Sequence, residues 1–151
     1  MNGREDQAAN HLFFLCSLIE YVGRKTKNHR SVVVNAMGKE RLQHYFDLAD
    51  MYHSENIDQI AFDIIKKHII EERTFDNVAT AKYAIPTHWD IGKVYKRLIL
   101  DISTKQNKAL IDSLIEAYNS WLSRKIEDFN GSVYYESPEY LYASYLAGDV
   151  L

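Results

Sequence analysis

Apolar residues recur at helical spacing along most of the chain. Leu12, Leu15, Cys16, Ile19, Val22 and Gly23 mark one stripe, and Phe14, Leu18 and Tyr21 mark a second. A helix that is apolar on most sides belongs at the centre of a fold. Leu42, Tyr45, Phe46, Ala49 and Tyr52 predict another helix, and Ile57, Ile60, Ala61, Ile64 and Ile65 a third, with Ser54 as its N-cap. Ile91, Val94, Tyr95, Leu98, Ile99 and Ile102 form a fourth stripe. Ile111, Leu114, Ile115, Tyr118, Leu122 and Phe129 predict one long helix beyond it. Ser137, Pro138 and Glu139 supply an N-cap, a proline at the first helical position and an acid at the positive end of the helix dipole, which starts a last short helix. The segment SVVVNAM (31–37) holds three valines without an evident partner strand and is expected to be a short helix or turn before Gly38. GSVYYES (131–137) is expected to be extended or loop.

The pattern predicts an all-α, mostly antiparallel bundle of six or seven helices. Periodicity fades over residues 71–86, which predicts a connection between an N-terminal half (7–70) and a C-terminal half (87–151). Each half is too small for a core of its own, so residues 1–151 are expected to form a single helical domain.

Composition narrows the function. The net charge is −3 and the pI about 6.1, which disfavours nucleic acid and anionic membranes as bulk electrostatic partners. No apolar run approaches the roughly 18 residues of a membrane span. The apolar stretch from Leu12 to Ile19 lacks the flanks of a signal peptide and is read as a helix. Cys16, the one cysteine, stands on an apolar helix and excludes both an internal disulfide and a cysteine metal cluster. A cytoplasmic protein is the expectation.

Four groups could carry chemistry. In IPTHWDIG (85–92), Thr87 and Asp90 have the spacing of a capping box, with Pro86 setting an extended approach and Ile85 near the position of a hydrophobic staple. Capping leaves His88 and Trp89 unexplained: Trp89 is expected between the two halves, His88 at the surface, and a small-molecule pocket beside them is one functional reading. RKTKNHR (24–30) holds four Lys/Arg, whereas the rest of the chain has 14 against 21 acids. Cations at a helix C-terminus complement its dipole, and the same run is the one candidate for RNA contact. His44, Asp47, Asp50 and His53 are spaced three apart, so each step turns the direction by about 60° and the four cannot converge on one metal. No metal or cofactor is predicted. Tyr134, Tyr135, Tyr140, Tyr142 and Tyr145 gather five of the eleven tyrosines in twelve residues, as at surfaces that meet another protein or a second copy of the chain. Residues 47–76 carry eight acids against three Lys/Arg, which suits a basic protein partner.

Arg24 and His29, an arginine followed after four residues by a histidine, resemble the motif of HEPN ribonucleases. That resemblance implies a metal-independent ribonuclease using Arg24 and His29 across a dimer. Lys25 stands where that family favours Asn or Asp. A second resemblance covers residues 10–70. The Glu20–Tyr21 pair on an apolar first helix, then Tyr52-His53-Ser54 before an isoleucine-rich helix, is similar to a family of small helical bacterial proteins of unknown function, encoded beside ADP-ribosyltransferase-like toxin genes. It implies a binding protein, an antitoxin or inhibitor, and carries no catalytic residues to transfer. Together these observations predict a non-enzymatic protein-binding module.

Overall fold

The computed structural model describes residues 3–52 and 54–149. It is an all-α bundle, with no strand among the described residues. The α-helical segments are α1 (Gly3–Thr26), α2 (Arg30–Asp47), α3 (Ala49–Tyr52), α4 (Ile57–His68), α5 (His88–Gln106), α6 (Leu110–Asn119), α7 (Trp121–Ile126) and α8 (Pro138–Ala147), with a 3-10 turn at Val133–Tyr135. No helix among the described residues is long and apolar enough to cross a membrane.

α1 is the central helix. Its apolar stripes are buried except for the partly exposed Tyr21, and it packs on α2, α4 and most extensively on α5. The principal contact therefore joins the two halves of the chain. Gly92 makes it possible: a Cβ there would stand 2.1 Å from Ser17 Oγ and 2.8 Å from the Ser17 backbone nitrogen. Hydrogen at this position lets α5 lie against α1. One buried apolar cluster runs from Leu12 to Leu141.

Several boundaries differ from those the pattern predicts. The valine run is helical, as expected, but belongs to a longer α2 that continues past Gly38, and Val33 and Val34 reach the core. α2 bends at Gly38, whose φ of 78° suits glycine. Asn56, rather than Ser54, caps α4, its side chain accepting from the Asp58 N–H at 2.8 Å. The Ser54 hydroxyl donates to the Met51 carbonyl instead. The long stripe after Ile111 is two helices, since Ser120 is extended (ψ 161°) between α6 and α7. The 131–137 segment holds the 3-10 turn. As the pattern predicts, Ser137 caps α8 through the Tyr140 N–H, with Pro138 at its first turn.

Candidate functional site

The site is built on the first turns of α5. Thr87 and Asp90 form a reciprocal capping box: the Asp90 N–H donates to Thr87 Oγ1 at 3.0 Å and the Thr87 N–H to Asp90 Oδ2 at 2.9 Å. This fixes where α5 starts and how the preceding strand of loop meets it. From there the helix presents two stripes. Ile91, Tyr95, Leu98, Ile99 and Ile102 enter the core. Asp90, Lys93, Val94 and Arg97, at i, i+3, i+4 and i+7, face outward and form one wall of a groove of about 490 Å³. Ala84, Ile85 and Pro86 form its end, and Tyr134, Tyr135 and Glu136 its opposite wall. A hollow of about 280 Å³ continues around the two tyrosines to Tyr83 and Phe129.

The walls are anchored from below. Asn130 Oδ1 accepts the Lys82 N–H at 2.7 Å and its amide donates to the Thr80 carbonyl, holding one end of the loop. Arg24 Nη2 donates to the Pro86 carbonyl at 2.7 Å, holding the other. The same guanidinium lies 5.2 Å from the centre of the buried Phe129 ring. Phe129 meets Tyr134 edge to face at 5.7 Å, and Tyr134 meets Tyr135 likewise at 4.9 Å. Arg24 thus touches the support of both walls.

Beneath Arg24 lies a buried ion network. Arg30, fully buried, grips Glu20 with two donors at 2.9 and 2.8 Å, and Arg24 adds a third at 2.8 Å. Arg30 also donates to the Asn28 carbonyl and to Asn77 Oδ1. Burial pushes the Glu20 carboxyl up, but the charges and hydrogen bonds of Arg30 and Arg24 outweigh it and hold the group below the usual carboxylate range. Glu127, reaching across from the end of α7, accepts the Arg30 N–H at 2.6 Å and so caps α2, whose own N-cap His29 makes no side-chain cap bond. Its other oxygen takes His29 Nδ1 at 2.8 Å and Arg124 at 3.2 Å. The His29 ring stacks on Phe75 at 3.9 Å.

The residues singled out from the sequence are therefore distributed. Tyr134 and Tyr135 line the groove. Tyr140, Tyr142 and Tyr145 do not: they sit on α8, half-buried, with Lys105 over the Tyr142 ring at 4.5 Å and Tyr145 hydrogen-bonded to Glu116. Trp89 lies on the far side of α5, 40% exposed, against Phe13 at 5.6 Å. A hollow of about 250 Å³ opens there between Trp89, Phe13, His11 and Asp50. His88 is half-buried rather than a surface residue, its ring edge-on to Tyr21 at 5.0 Å, and burial together with the Arg24 charge holds it below the usual imidazole value. Ile85 is not buried as a staple but 45% exposed at the groove end, and Pro86 is the buried neighbour. Arg24 and His29 share the network but are held by different carboxylates, Glu20 and Glu127. The acidic residues 47–76 lie from the end of α2 through α3 and α4 to the following loop, whereas the tyrosine segment packs with α5 and α7. His53 lies outside the described residues. Among the described residues no group of three or more His, Cys, Asp or Glu is placed to hold a metal ion. Cys16 is buried in the core, and burial pushes its thiol up to about 12.

No family, curated protein or solved structure with which the chain was compared is similar to it.

Lys93 and Arg97 were not singled out by the sequence pattern. Their signal is a pair of cations one turn apart on the polar side of the α5 stripe. Val94, counted in that stripe, is half-buried at the groove.

Proposed function

We propose that the protein is a non-enzymatic binding module that holds a segment of a partner protein in the groove between α5 and the 3-10 turn. One observation carries the reading. Tyr83, Ile85 and Tyr135 stand 70%, 45% and 67% exposed around two adjoining hollows that share Tyr134 and Tyr135 and whose walls are anchored to the core. Large apolar side chains gathered on a rigid, concave surface mark interaction sites. Tyrosine suits such a place, because its ring buries well and its hydroxyl stays hydrogen-bonded at a wet rim.

An antitoxin or inhibitor is the specific form of this reading. The resemblance of residues 10–70 to the family encoded beside ADP-ribosyltransferase-like genes supports it. Such a protein acts by covering a partner's site, which requires a fixed surface and no catalytic group. The ribonuclease reading has less support, since both of its residues are engaged by buried carboxylates. A small-molecule sensor draws support from the hollow beside Trp89.

Site-specific photocrosslinking tests the proposal. A benzophenone side chain at position 135 should form one adduct with a partner protein in cells, and one at the exposed Phe62 of α4 should form none. Adducts from position 62 but not 135 would refute the groove as the docking surface. A dimer of this chain crosslinked through 135 would make the partner a second copy.

A further inference from the structure

The groove carries charge as well as apolar surface, and the charge selects its occupant. Lys93 and Arg97 project from one wall, both exposed, and neither has an acid within ion-pair distance among the described residues. The nearest acid on that wall, Asp90, has its carboxylate turned to the Thr87 N–H, where it serves the start of α5. Lys96, on the adjoining face, lies 5.9 Å from the centre of the Phe13 ring. Its ammonium is held below the usual lysine value by burial and then by the charges of Arg97 and Lys93. Glu136 stands on the opposite wall. The groove thus carries two unpaired cations on α5 beyond the capping Asp90, with Glu136 across from them and an aliphatic surface of Ala84, Ile85 and Val94 in it.

We propose that the occupant is an acidic segment of the partner protein, with carboxylates on Lys93 and Arg97 and an aliphatic side chain against Ile85, Val94 and Tyr134. This inference rests on the groove being the binding site and adds the chemistry of what it holds. Complementary charge fixes register and speeds encounter, while the aliphatic contact supplies the buried area. A nucleic acid fits less well. Its phosphates would satisfy the two cations but leave Ile85 and Val94 uncovered. The partner's charge here is opposite to the one the acidic residues 47–76 suggest, because those acids lie on other elements.

The test is an amide NMR titration of the whole chain with three probes: a short peptide alternating Glu and Leu, the same peptide with Lys for Glu, and an oligouridylate. The Glu/Leu peptide should bind at least about tenfold more tightly than the Lys/Leu peptide. It should shift amides within 84–97 and 134–136. Lys93→Glu/Arg97→Glu, at two exposed positions that leave the fold intact, should reverse that order. A Lys/Leu peptide that binds the groove equally well would overturn the charge preference and leave the groove as the binding site. Oligouridylate binding there more tightly than either peptide would replace the acidic segment with RNA. Groove amides that respond to none of the three would overturn both readings.

Discussion

Arg24 Nη2 donates to the carbonyl oxygen of Pro86 at 2.7 Å across 62 residues of sequence. Through that bond the buried network of Glu20 and Arg30 reaches the surface. The sequence places Arg24 in a basic run, where a helix dipole or an RNA would account for it. In the fold it is a strut between the core and the groove.

Arg24→Met should therefore act on the groove more than on the helices. The variant keeps the apolar stem over Phe129 but loses the hydrogen bonds to Glu20 and Pro86. Bonds of this charged kind contribute about 1.5–3 kcal/mol each at most. Hydrogen exchange of the amides of 83–85 should quicken, with the far-ultraviolet circular dichroism unchanged. Exchange at the wild-type rate would show that the loop is held by Asn130 alone.

The pair beneath it should behave as a buried ion pair. Arg30→Met leaves Glu20 buried with Arg24 as its one cation and should cost about 3–5 kcal/mol in urea denaturation. Glu20→Met/Arg30→Met should cost less than the sum of the two single variants, because no buried charge is orphaned. Strict additivity would mean that the two side chains act separately.

The same network predicts an acid limit to stability. The Glu20 carboxyl titrates below its unfolded value, so its contribution is complete above about pH 4.3 and is lost as pH falls through the folded value. His88 adds an earlier step. Its imidazole is held below the usual value, so the unfolded chain takes up that proton first and stability declines as pH drops below about 6.5. The urea midpoint measured against pH should fall in two stages. His88→Gln should shrink the first stage, which His44 and His68 share because burial holds them low as well, and Glu20→Gln should remove the steeper part of the second.

Gly92→Ala tests the α1–α5 contact. The added Cβ meets Ser17 side chain and backbone together, so no rotamer change relieves it. Overpacking of this kind costs about 1–3 kcal/mol or more. Gly92→Ala with Ser17→Ala should recover little, since the backbone nitrogen and Cα of Ser17 stand at 2.8 and 2.9 Å. Full recovery would place the clash in the hydroxyl alone.

These residues also show what the chain discloses locally and what it does not. The stripes of α1, α4 and α5, the Thr87–Asp90 box and the Ser137–Pro138 start are short-range patterns whose physics is complete within a turn, and they stand where the spacing puts them. Between Ser54 and Asn56 the choice of cap depends on how α3 ends, which the local pattern does not contain. Glu127 caps α2 from 97 positions away, and no periodicity signals such a bond. The dense tyrosines mark an aromatic region, but only the turn at Val133–Tyr135 decides that Tyr134 and Tyr135 face the groove while Tyr142 and Tyr145 settle on α5 and α6. Gly92 carries meaning solely because α1 crosses it.

The most direct test of the groove as the binding surface is affinity purification from the native cell with three forms of the chain. These are wild type, Val94→Asp/Tyr135→Ala in the groove, and His29→Ala in the ion network. One stoichiometric protein should be held by wild type and by His29→Ala and be lost from the groove variant. A partner retained by the groove variant, or bound RNA that disappears with His29→Ala, would contradict the account.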